Sequence, residues 1–180
     1  MSPKRRKEKI VERLLREVGI EEGHTVLDCC CGAGVYTLPA AEIVGEEGSV
    51  YAIDRNSRRI SDLRKKVDAR GLHNVKIIEG DITAAGCLSE TRFDVVLLYD
   101  IFWYFRPEER RTEDLLKKIG GLVKEDGLIS VYPTHTTARG TERFKDEMRA
   151  VGFVLESECP GQMVHEGRLE RGRVLNFRKT

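Results

Sequence analysis

Thr25-Val26-Leu27-Asp28-Cys29-Cys30-Cys31-Gly32-Ala33-Gly34 decides how the rest of the chain is read. Val26 and Leu27 suit a short strand covered on both faces. Gly32 and Gly34 allow a sharp backbone turn and a close approach to a ligand, where a Cβ would intrude. A helix expected from about Val35 would offer unpaired N–H groups at its start. Asp28 narrows the ligand. A carboxylate at the strand end repels a pyrophosphate and attracts an ammonium or sulfonium. The turn therefore reads as a site for an amino-acid-like cofactor rather than a dinucleotide.

Outward from this turn, strands and helices alternate. Residues from about Pro3 to Val18 carry Ile10, Val11, Leu14, Leu15 and Val18 on one stripe, with Ser2 as cap and Gly19 as stop. Further strands are expected at Ser49–Asp54, Asn74–Glu79, Phe93–Tyr99 and Gly127–Tyr132. Helices are expected from Asn56 or Ser57 to about Arg70, from Pro107 to about Ile119 with Gly120-Gly121 as a break, and from about Thr141 to Ala150. Two last strands near Phe153–Glu158 and Arg173–Arg178 have no helix between them and should pair antiparallel, joined by a loop bearing Pro160, Gly161, Gly167 and Gly172. The pattern predicts an α/β fold: one three-layer domain over residues 1–180, with right-handed crossovers and a mostly parallel sheet.

Length and composition agree with one domain and exclude little else. The chain has 180 residues, with Lys+Arg 31 against Asp+Glu 30 and a net charge of +1. Lys4, Arg5, Arg6, Lys7, Lys9, Arg13 and Arg16 crowd the first helix against Glu8 and Glu12. A solvated helix face and a contact for nucleic acid or an acidic partner are both open there. Five cysteines, three of them adjacent, include no C-x-x-C pair. Neighbouring strand residues point to opposite faces and cannot chelate one ion, so no metal is expected; packing beneath the loop is. The odd cysteine count and lack of a signal peptide point to the cytosol, and no apolar run is long enough to span a bilayer.

Four successive strands end in, or run into, an acid: Asp28, Asp54, Asp81 and Asp100. The C-terminal ends of parallel strands share one edge, where ligands bind in open α/β sheets. Asp54 lies roughly 20 residues past the turn, where an acid meets ribose hydroxyls. Asp81, flanked by Ile82, is placed to accept from an adenine amine.

Val26–Gly34, Val50–Asp54, Glu79-Gly80-Asp81-Ile82 and Phe93–Asp100 together resemble the class I S-adenosylmethionine-dependent methyltransferases in order and spacing, over roughly His24 to Glu158. The resemblance implies a seven-stranded sheet with the last strand antiparallel. It implies that Asp28, Cys30, Gly32 and Gly34 hold the methionine end of the cofactor, Asp54 and Arg55 the ribose, and Asp81 and Ile82 the adenine. Tyr99 would lie near the transferable methyl. The family's turn usually has glycine where this chain has Cys30.

Methyl transfer needs a base only where the nucleophile is protonated at neutral pH. Asp100 and His135 are candidates, with Tyr132 beside the latter. The run Asp100-Ile101-Phe102-Trp103-Tyr104-Phe105 departs from the Pro-Pro-aromatic pattern of enzymes acting on adenine or glutamine amino groups. Its aromatics wall a substrate pocket or plug the core. The first helix, residues 1–20, is a candidate lid with the Pro133–Gly140 and Cys159–Arg173 loops. A small-molecule acceptor is the main expectation. RNA or protein methylation, NAD binding and cofactor binding without turnover are the alternatives, and a homo-oligomer stays open.

Overall fold

The computed structural model describes residues 2–82, 86–100, 111–134, 136–165 and 167–180. Helix α1 is Pro3–Val18, followed by β1 Thr25–Cys29, α2 Thr37–Val44, β2 Ser49–Asp54, α3 Ser57–Arg70 and β3 Val75–Glu79. Then come β4 Phe93–Tyr99, α4 Arg111–Leu122, β5 Val123–Tyr132, α5 Ala138–Ala150, β6 Phe153–His165 and β7 Arg168–Lys179. The seven strands form one sheet in the order β3-β2-β1-β4-β5-β7-β6. All neighbours from β3 to β5 pair parallel, and β7 runs antiparallel between β5 and β6.

Caps set the helix ends as the sequence indicates. The Ser2 hydroxyl accepts from the Arg5 N–H, and Asn56 accepts from the Arg59 N–H. Gly19 and Gly71 close α1 and α3 in the left-handed region. Alternation along each strand then divides the core. Leu27, Ile53, Val96, Leu98 and Ile129 face α4 and α5. Val26, Val50, Val95 and Leu97 face α1 and α2. The same parity turns Asp28 and Asp54 toward the α2 side, two residues beyond Val26 and Ala52 respectively.

Four expectations need correction. Residues 159–173 are not a loop: β6 and β7 form a long hairpin in which Pro160 pairs with Arg173 and Gly161 with Gly172. Proline and glycine read as loop signals, but β6 is the outer strand, where a missing N–H is tolerated. Gly172 also makes room, since a Cβ there would sit 2.7 Å from Cε2 of Tyr132. Gly120-Gly121 does not break α4, which runs on to Leu122. A Cβ on Gly120 would meet Phe153 at 2.9 Å, so that glycine serves close packing. Strand β5 begins at Val123, before a register shift that the apolar pattern hides. Helix α2 begins at Thr37 rather than Val35, after a turn in which the Gly34 N–H donates to the Cys31 carbonyl. The expected helix start at Pro107, the aromatic run 102–105 and His135 lie outside the described residues.

Helix α1 is part of the core. Val11, Leu14, Leu15 and Val18 are buried together with Val26, Tyr36 and Met163. Among the described residues, no helix is long and apolar enough to cross a membrane. Leu15 is completely buried. Leu15→Ala should cost about 2–5 kcal/mol and lower the thermal midpoint by on the order of 10 °C, read by circular dichroism. A change of under about 2 °C would mean that α1 is only a loosely docked lid.

Candidate functional site

The C-terminal rim of β1, β2 and β4 brings the sequence-picked acids together. Asp54 is 8 % exposed and organises the turn. Its Oδ2 accepts from the Gly32 N–H at 2.8 Å and its Oδ1 from the Asn56 N–H at 2.8 Å. One carboxylate thus ties the glycine turn to the start of α3. Each oxygen keeps further acceptor capacity for hydroxyl donors.

The turn is built by unusual backbone. Gly32 has φ +54° and Gly34 φ +82°. A Cβ on Gly34 would lie 2.4 Å from Cδ1 of Leu63, so this glycine lets α3 pack under the turn. Cys30 has φ +58°, a conformation that glycine adopts more easily. Cysteine in this conformation costs about 1–2 kcal/mol. Asp100, at the tip of β4, also has φ +59°. Among the described residues, both left-handed non-glycine residues therefore sit on this rim, where local strain commonly accompanies ligand sites.

Asp28 is 2 % exposed and accepts from the Thr37 hydroxyl at 2.6 Å. Burial pushes its carboxyl up to about 7; Thr37 opposes the shift and the Asp54 charge adds to it. Such a group is poised for a cation. The cysteines are chemically quiet. Burial pushes the Cys30 thiol up to about 12 and raises Cys29 and Cys31 further out of the useful range.

A narrow slot opens beside Asp54, lined by Cys30, Ile53, Arg55, Gly80, Asp81, Ile82 and Leu115. Its space is only about 20 Å³, smaller than a purine ring. The slot joins two carboxylates to an apolar wall. Those acceptors suit an adenosine, with Asp54 and Asp81 open to hydroxyl and amine donors and Asp28 nearby for a positive charge. They do not suit phosphates.

Tyr99 stands behind the rim. It is 3 % exposed, its hydroxyl is 2.8 Å from Ser130 Oγ, and its ring meets Tyr36 edge-on at 4.7 Å. Tyr132 borders a separate cavity of about 970 Å³ between the β5 tip, the start of α5 and the hairpin, with Thr137, Arg139, Lys145, Arg171 and Arg173 on its walls. Burial holds the Tyr132 phenol above its usual range.

Sequence reasoning missed three participants. Thr37 supports Asp28, and Thr134 donates to Asp100 Oδ1 at 2.8 Å. His165, from the end of β6, places Nδ1 2.8 Å from Asp100 Oδ2. No local signal marks His165, because its partner lies 65 positions earlier and the intervening hairpin looked like a loop.

Comparisons with known proteins point one way. Residues 20–176 match a family model described as a methyltransferase domain. A demethylmenaquinone methyltransferase of Geobacillus stearothermophilus is 43 % identical over 68 residues, 38 % of this chain and 29 % of that protein. A probable ribosomal RNA small subunit methyltransferase B of Synechocystis is 33 % identical over 131 residues, 62 % of this chain and 29 % of that protein. The match thus spans less than a third of the length of either relative. The crystal structure of a SAM dependent methyltransferase from Aquifex aeolicus shares the fold, with TM-score 0.76 and 21 % identity over 99 % of this chain and 94 % of that one.

Asp28 gives a test in the ligand-free protein. Its folded pKa of about 7 lies above the ordinary 3.8. Its contribution to stability is therefore present below the ordinary value and lost as pH rises through about 7. Asp28→Asn removes this titration. The variant should gain on the wild type between about pH 4 and pH 8, by on the order of 3 kcal/mol in denaturant unfolding. A stability difference that is flat with pH would show that the carboxyl ionises normally.

Proposed function

The chain belongs to the methyltransferase-domain family, and from that premise we propose that it transfers a methyl group from S-adenosylmethionine to a small-molecule acceptor. The observation that carries the reading is the Asp54 carboxylate, which braces the glycine turn and faces the slot. Asp54 would accept the ribose hydroxyls with Arg55 alongside. Asp81 would accept from the adenine amine against Ile82. Asp28, with Gly32, Gly34 and Cys30 shaping the turn, would neutralise the amino-acid end.

When bound, the cofactor supplies an electrophilic methyl on a positively charged sulfur. The chain supplies position, a water-poor setting and a place for any proton. Asp28 ionises more readily beside that charge, so its burial favours the loaded state over the empty one. The acceptor enters by the cavity bordered by Tyr132, which adjoins the tip of β4 through Thr134 and Asp100. The cytosol is the compartment this reading assumes.

RNA is the second reading, favoured by the ribosomal RNA methyltransferase name of the Synechocystis relative. The basic helix supports it weakly. Arg13 and Arg16 are already paired with Glu17 and Glu12. Labelled cofactor offered to pools of metabolites and of RNA separates the two, and a binding protein without turnover labels neither.

Calorimetry tests the cofactor site. S-adenosylmethionine and S-adenosylhomocysteine should bind, and NAD should not. Asp54→Ala should weaken binding by about 10–100-fold, the worth of one or two charge-assisted hydrogen bonds. Undiminished affinity in that variant would remove Asp54 from the site.

A further inference from the structure

We propose that Arg139 and Arg171 anchor an oxyanion of the methyl acceptor, so that the substrate is a small organic carboxylate or phosphate ester. The inference rests on the methyl-transfer reading above and names its substrate class.

The cavity beside Tyr132 has the size for such a molecule. Its volume is about 970 Å³, near the upper end of the roughly 300–1,000 Å³ typical of small-molecule sites. Tyr132 and Leu175, both buried, give its walls an apolar stretch. An organic body gains by covering that surface.

Charge on the walls is unbalanced. Among the described residues they carry Arg139, Lys145, Arg171 and Arg173 against Glu142 and Glu158. Lys145 donates to Glu142 at 2.9 Å and to Glu158 at 3.0 Å, and Arg173 donates to Glu158 at 2.9 Å. Both acids are thereby matched. Among the described residues, none pairs with Arg139 or Arg171. Their neighbours differ. On α5, Arg143 and Arg149 pair with Glu147 and Asp146, and on β7 Arg178 pairs with Glu156. Two guanidiniums therefore border the cavity with their donor forks open. Such a fork matches a carboxylate or a phosphate in bidentate geometry.

The start of α5 adds to the same field. Thr137 accepts from the Gly140 N–H at 3.1 Å, and the first turn holds no acid. The positive end of the helix dipole is thus left for an anion.

Position then orients the acceptor. The cavity begins at the tip of β5, which pairs with β4 and sets Tyr132 opposite Tyr99. The rim beyond carries Asp54, Asp81 and Asp100. Those carboxylates repel an anion and the arginines attract it. The anionic end is held at the hairpin, and the nucleophilic end turns toward the rim, where the donor methyl would lie. A nucleic-acid strand calls for a continuous basic track. Here Glu142 and Glu158 interrupt one.

The test uses the full chain. Benzoate and phenyl phosphate, titrated into the protein saturated with S-adenosylhomocysteine, should move the amide signals of Ala138, Arg139 and Gly140 and the Nε–H signals of Arg139 and Arg171. Benzyl alcohol and benzylamine should not. Labelled S-adenosylmethionine is then offered to separate pools of organic carboxylates, phosphate esters, neutral and cationic metabolites, and RNA. The label should enter the carboxylate or the phosphate-ester pool, and which of the two identifies the anion. For the acceptor found, Arg139→Gln and Arg171→Gln should each raise KM about 10–100-fold, with kcat and S-adenosylhomocysteine affinity unchanged within about twofold. Both side chains are exposed, so the fold should hold. Arg149→Gln removes the same charge from α5 outside the cavity and should leave KM unchanged. Label in the neutral, cationic or RNA pools, label in none, no signal shifts at the two arginines, or an unchanged KM in both variants overturns the proposal. A wild type that fails to bind S-adenosylhomocysteine instead brings down the parent reading, and this inference with it.

Discussion

Asp54 is the constraint on which the site depends. Its two oxygens accept N–H groups from Gly32 and Asn56, 22 and 2 positions away. A glycine turn has many accessible conformations, and one charge-assisted pair selects among them. The same carboxylate starts α3, and α3 in turn packs Leu63 under Gly34. Turn, strand tip and helix are therefore one mechanical unit. The parallel register of β1 and β2 makes this possible, since Cys29 pairs with Ile53 and sets the next residues side by side.

A second set of contacts brings the far edge of the sheet back to this unit. Helix α1 packs against both α2 and the hairpin, with Leu14 near Gly161 and Arg70 bridging Glu8 and Glu42. Tyr36 is the link. Its ring leans on Tyr99, and its hydroxyl both donates to and accepts from the backbone of Val164. The candidate lid is thus no loose cover. It is a structural layer whose apolar face is continuous with the core. A polar-edged slot lies beside Asp54, and a wider cavity beside Tyr132 carries both basic and acidic residues on its walls. Asp100 stands at the β4 tip, held by Thr134.

The rim departs from what stability alone would choose. Cys30 and Asp100 take a backbone conformation that glycine adopts more easily. Asp28 is a buried acid whose charged form is disfavoured. Each is a cost to the empty protein and a gain where a cation or a proton must be handled.

Periodicity, caps and turn residues in the sequence determined the strand–helix alternation, the exact spans of α1, β1 and β2, and the acids at the strand ends. These are local properties: Ser2, Asn56, Gly19 and Gly71 act within a turn of where they stand. The resemblance of the rim blocks to a family was legible for the same reason. Tertiary structure alone decided which loop-like residues become strand, because Pro160 and Gly161 are paired by a partner strand rather than by their own neighbours. It alone turned Gly120 from a helix stop into a packing contact with Phe153. It alone brought His165 to Asp100 and Thr37 to Asp28. Side chains far apart in the chain meet only when the sheet order is set, and the sheet order is a property of the whole packed core.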